Sequence, residues 1–147
     1  MNRIFLSLVF AYAFWSCKSD TDSVSQAEKD VFAIHDEIMP KMDDMMKLKK
    51  QLKQRVTTLD SLKASGSAAA TLRTDEEKEQ ATRLNRDLTV ADSLMMNWMG
   101  GYKSDTLTKV SSEEALKYLA AQKDQITDVK TKVNTSIDQA RQFLGKK

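Results

Sequence analysis

The sequence predicts an all-α protein: an up-down-up antiparallel three-helix bundle with coiled-coil-like packing, preceded by a signal peptide and a short tether. Three observations carry this. Apolar residues recur at steps of three and four in three separate stretches, the spacing of one face of an amphipathic helix. Each stretch opens on a hydroxyl residue followed three places later by glutamate, and closes near a glycine; these are helix start and stop signals. The chain has 4 glycines and 1 proline in 147 residues, too few for a sheet protein with many turns.

Residues 1–16 read as a leader. Arg3 precedes a mostly apolar run from Ile4 to Trp15. That run is shorter than the ~20 residues that span a bilayer, and fits the roughly 7–15 of a signal-peptide core. Small Ser16 comes next, then Cys17, and the chain turns polar at once in Lys18-Ser19-Asp20-Thr21-Asp22. The run resembles a bacterial lipoprotein signal, in which the cysteine is acylated and becomes the first mature residue; bulky Trp15 departs from that pattern. The resemblance implies lipidation at Cys17 by palmitate-type chains, a polar tether over residues 17–24, and membrane attachment in the cell envelope of a Gram-negative bacterium. The anchor would sit in the outer membrane, on its periplasmic or surface face. Each acyl chain contributes ~0.8 kcal/mol per buried methylene, so several on one cysteine hold firmly. An ordinary cleaved signal with an incidental cysteine is the alternative. The acidic tether also resembles a surface-export tag.

The expected bundle covers residues 25–147, with helices over about 25–64, 74–99 and 111–144. Ser25-Gln26-Ala27-Glu28, Thr74-Asp75-Glu76-Glu77 and Ser111-Ser112-Glu113-Glu114 are the three capping boxes. Gly66, the Gly100-Gly101 pair and Gly145 follow the helices as terminators. The first stripe is Val31, Ile34, Ile38, Met42, Met45, Leu48, Leu52, Val56, Leu59 and Leu62. The second is Ala81, Leu84, Leu88, Ala91, Met95 and Trp98; the third is Leu116, Leu119, Ile126, Val133, Ile137, Ala140 and Leu144, interrupted by Lys123 and Lys130. The interruptions suggest an imperfect seam and leave a homo-oligomer open. Modest loops make neighbours antiparallel. At ~1.5 Å per residue the first helix measures about 55 Å and the second about 37 Å, so the long helices overhang.

Pro40 falls inside the first helix, where it removes a donor and crowds the carbonyl of Asp36 at a cost of ~3 kcal/mol. A break there would make Met39 the N-cap, and methionine caps poorly, so one kinked helix is expected. Around the proline lie the only histidine and a run of methionines, in Ala33–Met46. Phe32, His35, Met39 and Met46 form a second apolar strip, which marks burial on two sides or a groove for a partner. Phe32, Met39, Met46 and Trp98 are the candidate groove residues. His35, Met39 and Met42 are candidate metal ligands, because imidazole and thioethers at those spacings share a helix face and thioethers favour Cu(I). Met95, Met96 and Met99 lie opposite in an antiparallel pair. Core packing is the plainer use of methionine, and Trp98 reads equally as a core anchor whose N–H reaches the loop or water. No metal or other cofactor follows from the sequence alone.

The formal net charge is +2, from 23 basic and 21 acidic side chains, so no field steers the chain to nucleic acid. Lys47–Arg55 has five cations and no acid, but they spread around the helix and read as a solvated face. One histidine and one cysteine exclude Cys-His and metalloprotease arrangements, and nucleophile-elbow and phosphate-cradling glycines are absent. The carboxylate pairs Asp36/Glu37, Asp43/Asp44, Glu76/Glu77 and Glu113/Glu114 are adjacent and point apart on a helix. The reading is a non-enzymatic structural or adaptor module with a protein partner; a copper-binding or metal-relay protein is the alternative. Asp-Ser/Thr-apolar triplets at Asp22, Asp60, Asp92 and Asp105 resemble bacterial O-glycosylation sequons. The lipoprotein start, the run HDEIMPKMDDMMKLKKQL and the later ADSLMMNWMGGY together resemble a family of small helical bacterial lipoproteins, some labelled "viral A-type inclusion protein". That label reflects generic coiled-coil similarity. The family has no established activity, so the resemblance implies no catalytic residue.

Overall fold

The computed structural model describes residues 20–64, 66 and 68–145. The leader, Cys17 and the first tether residues lie outside them. The chain forms α1 (Asp20–Lys63), α2 (Ala68–Gly101), a 3-10 turn (Ser104–Thr106) and α3 (Ser112–Phe143). There is no strand among the described residues. The three helices pack against one another as an all-α bundle.

Ion pairs and side-chain hydrogen bonds fix the topology. Between α1 and α2 the sequence separation of bonded partners falls from 74 for Tyr102–Glu28 to 43 for Lys49–Asp92 and 12 for Lys63–Asp75. The two helices are therefore antiparallel. Between α1 and α3 it holds at 93 for Lys123–Asp30 and Lys41–Asn134 and reaches 97 for Arg141–Asp44. A nearly constant offset means parallel helices, which completes the up-down-up order.

The helix starts differ from expectation in two of three places. Ser111 is the N-cap of α3 with a full capping box: its side chain accepts from the Glu114 N–H, and the Glu114 carboxylate accepts from the Ser111 N–H. Ser25 and Thr74, by contrast, lie inside helices. α1 begins at Asp20, with Asp20 and Asp22 in its first turn, where carboxylates complement the helix dipole; residues 20–24 are helix rather than tether. α2 begins at Ala68, because Ala68-Ala69-Ala70 has the highest helix propensity available and extends the helix upstream. Of the expected terminators, Gly145 closes α3 and the Gly100-Gly101 pair does not stand beyond α2. Gly145 takes the left-handed conformation, φ 68°, and its N–H donates to the Gln142 carbonyl. Gly100 and Gly101 are the last residues of α2 itself. α1 runs unbroken through Pro40, which is exposed.

The core follows the stripes. Val31, Ile38, Met45, Leu48 and Leu52 of α1 meet Ala81, Leu84, Leu88, Ala91, Met95 and Trp98 of α2, with Leu119, Ile126, Val129, Val133, Ile137 and Ala140 of α3. In α3 the expected Leu119, Ile126, Val133, Ile137 and Ala140 are buried, and one column of the seam is shifted by a single place. Ala115, Gln122, Val129 and Ser136 are buried, while Lys123 and Lys130 flank the seam and pair with Asp30 and Glu37 of α1. The seam is therefore regular, and the lysines clamp it from outside. Hydrogen bonding and charge from Lys130 hold the Glu37 carboxyl below its usual 4.5.

α3 ends early. With Arg141 paired to Asp44 and α3 ending at Phe143, the end of α1 and the start of α2 run on as a two-helix hairpin. Leu59 is buried there, and Arg55–Glu77, Lys78–Asp60 and Lys63–Asp75 staple it. The overhang is thus closed mainly by charge, with exposed Leu62 and Leu72 towards its tip.

Two outcomes follow. Leu52→Ala costs about 2–5 kcal/mol in urea unfolding, while exposed Leu62→Ala stays within about 0.5; equal costs contradict this core. Glu37 is a depressed carboxyl, so its contribution is present above pH 4.5 and lost as pH falls through the lower folded value. Carbon-13 titration of Glu37 shows this midpoint, and Lys130→Ala returns it to the ordinary range.

Candidate functional site

The core closes without several large apolar side chains. Phe32, Met39, Met46 and Met96 are 37, 39, 57 and 56% exposed, three on α1 and one on α2. Their positions explain this. On α1, residues 32, 35, 39, 42 and 46 alternate steps of three and four, one strip over from the core stripe. On α2, residues 92, 96 and 99 make the matching strip. Lys49 Nζ lies 3.0 Å from Asp92 Oδ2, and the Asn85 side chain donates to the Lys49 carbonyl at 2.9 Å. Phe32 meets Tyr102 edge-on at 5.1 Å. These contacts bracket an outer α1/α2 seam, on the side away from α3. The antiparallel register sets Met39 and Met42 of α1 across from Met96 and Met99 of α2.

The seam has two rows. Met42 and Met99 are partly buried against the core, and the His35 side chain is 19% exposed. Met39, Met46 and Met96 form the open outer row. Met45 and Met95 are core and take no part. At one end an aromatic cluster closes the seam: His35 lies 6.1 Å from Phe32 and 5.7 Å from Trp98, Trp98 5.6 Å from Tyr102, and Tyr102 5.9 Å from Tyr118. At the other end stands the Lys49–Asp92 pair.

The candidate residues divide accordingly. His35, Met39 and Met42 share the α1 side of the seam. Phe32, Met39 and Met46 share it as exposed residues. Trp98 does not open onto it: it is 7% exposed, and it borders a shallow groove of about 380 Å³ between α2 and α3, with Leu94 and Val129. Its indole N–H is buried without a hydrogen-bond partner, so it does not reach the loop. A helix step of about 100° turns residue 98 away from residue 99, which the apolar pattern did not distinguish. Tyr118 is the member of the cluster that sequence reasoning missed. The Tyr118 hydroxyl accepts from the Lys103 N–H at 2.7 Å, tying the loop to α3.

His35 Nδ1 lies 3.0 Å from Asp36 Oδ1. The Tyr102 hydroxyl donates to Glu28 Oε1 at 3.1 Å; burial first, then this bond to a carboxylate, push its ionisation well above the usual 10.0. Among the described residues no group of three or more His, Cys, Asp or Glu side chains is placed to hold a metal ion. None of the described helices is long and apolar enough to cross a membrane. The cations of Lys47–Arg55 partly turn inward, Lys49 to Asp92 and Arg55 to Glu77. The triplets at Asp22, Asp60 and Asp92 lie within helices, and the one at Asp105 in the 3-10 turn.

No protein-family model, no curated protein and no solved structure matches the chain.

The raised Tyr102 value has a sign. Its neutral phenol is favoured by the fold, so the stabilisation is whole below pH 10.0 and is lost as pH rises through the folded value. The ring-carbon signal of Tyr102 therefore stays flat through about pH 11, where an ordinary tyrosine has ionised. A midpoint near 10 contradicts the contact with Glu28.

Proposed function

We propose that the protein is a lipid-anchored envelope protein, tethered through Cys17, that acts as a non-enzymatic adaptor and binds a partner along the outer α1/α2 seam. One observation carries the binding half: Phe32, Met39, Met46 and Met96 stay exposed in one strip beside a core that is complete without them. Contiguous exposed apolar side chains mark interaction surfaces, and methionine adapts to the shape it meets. The 3-4-3-4 spacing fits an amphipathic helix laid into the seam as a fourth rod. Asp36 and Asp43, both exposed along the α1 edge, favour cations on that helix. The leader, Ser16-Cys17 and the likeness to small helical lipoproteins support the anchoring half, on the outer membrane of a Gram-negative cell. The ionisable side chains near the seam are engaged with one another, as His35 is with Asp36 and Tyr102 with Glu28, which favours binding over catalysis.

Cys17→Ser tests the anchor: the protein leaves the membrane fraction and loses acyl labelling, and retention in that fraction contradicts it. A photo-cross-linker at Met46 tests the surface in the native envelope. It captures a protein partner, while one at exposed Asp124 on α3 does not. Equal capture from both positions overturns the seam, and capture of a second copy of this chain makes the partner a homo-oligomer.

A further inference from the structure

We propose that the seam binds a monovalent soft metal ion, Cu(I), through the thioethers of Met39, Met42 and Met99 and the imidazole of His35, with Met96 at the rim. This names a ligand for the surface just proposed as a binding seam; it rests on the seam's geometry and owes nothing to the lipid anchor.

The choice of side chains is the first argument. The core is built mainly of leucine, isoleucine, valine and alanine. The seam has none of these: its large side chains are Phe32, His35, Met39, Met42 and Met46, with Met96, Met99 and Tyr102 opposite. A docking face alone is served as well by leucine. Thioether sulfur is the soft donor that leucine lacks, and it selects Cu(I) over harder ions. Two antiparallel helices place these donors along one stretch of the seam, between the Phe32–Tyr102 contact and the Lys49–Asp92 pair.

His35 supplies the second argument. Donation from its Nδ1 to Asp36 Oδ1, 3.0 Å away, leaves Nε2 with the lone pair in the neutral ring. A carboxylate behind one ring nitrogen is how ligating histidines are commonly oriented. Met39 and Met42 follow at four and seven places, on the same helix face. The absence of any His/Cys/Asp/Glu triad among the described residues narrows the ion further: zinc, calcium and magnesium lack their donors here, and a thioether-led set remains.

Trp98, whose ring lies 5.7 Å from His35, is the reporter. The experiment uses the full chain in detergent with Trp15→Phe, so that Trp98 is the sole tryptophan. Cu(I) is titrated anaerobically against a competing chelator, and Ag(I) serves as the redox-inert probe with methyl-labelled methionine. Expected are saturation at one ion per chain, a change in Trp98 emission, and methyl shifts at Met39, Met42 and Met99 larger than at Met45 and Met95. Met39→Leu/Met42→Leu conserves volume, keeps the helical spectrum, and weakens binding by about tenfold or more. His35→Phe does the same. No saturable binding, equal weak shifts at every exposed methionine, or full affinity in the double leucine variant overturns the proposal. Those outcomes leave cross-linking from Met46 unaffected, so failure of the metal site is distinguishable from failure of the docking surface.

Discussion

Everything in this molecule depends on one seam where three helices bury apolar residues at alternating steps of three and four. Val31, Ile38, Leu52, Leu88, Met95, Ile126 and Val133 have essentially no exposed surface. Burying a side chain of this size stabilises by roughly 1.5–3 kcal/mol, and isolated helices have little stability of their own. The ion pairs around the seam are largely exposed, where each is worth about 0–1 kcal/mol. They decide which helix lies where and in what register, while the apolar seam supplies the stability.

Because that seam is complete, whatever apolar surface lies outside it needs a separate reason. Helix α1 is the instructive case. Its core stripe and its second strip lie side by side, and only the first is claimed by α2 and α3. The second strip stays half open along the α1/α2 boundary, carrying methionine and aromatic rings where a solvated face would carry charge. Local geometry concentrates it further: Lys49–Asp92 and the Phe32–Tyr102 contact fix the register that sets methionines of two helices across from each other. A helix-binding surface and a soft-metal site draw on this same arrangement, the first through shape and the second through sulfur.

Much of the fold was legible in the sequence, and the failures are physical. The stripes of α1 and α2 are readable because their apolar positions are unambiguous; all eleven core residues named above for those helices follow the expected steps without a shift. In α3 the expected Leu119, Ile126, Val133, Ile137 and Ala140 are core, and only the column expected at Leu116, Lys123 and Lys130 sits one place earlier, at Ala115, Gln122 and Val129. A polar glutamine inside a core is not visible as apolar periodicity. Ser25 and Thr74 looked like caps, but a capping box gives only local encouragement; acidic residues or alanines upstream carried the helix past it. The strip with His35, Met39 and Met42 was legible, since it needs only helical spacing. Trp98 takes its place on the core stripe as its spacing predicts, and that it borders the α2/α3 groove rather than the α1/α2 seam is a tertiary fact.

The central claim is that the methionines divide into a sealed core pair and an open seam. Brief peroxide oxidation of the folded chain, read residue by residue in a mass spectrometer, tests it most directly, since thioether oxidation follows exposure. The account predicts rapid sulfoxide formation at Met39, Met46 and Met96, with Met45 and Met95 protected until the protein unfolds. Protection of Met39, Met46 and Met96, or oxidation of Met45 and Met95 at the same rate, would contradict it.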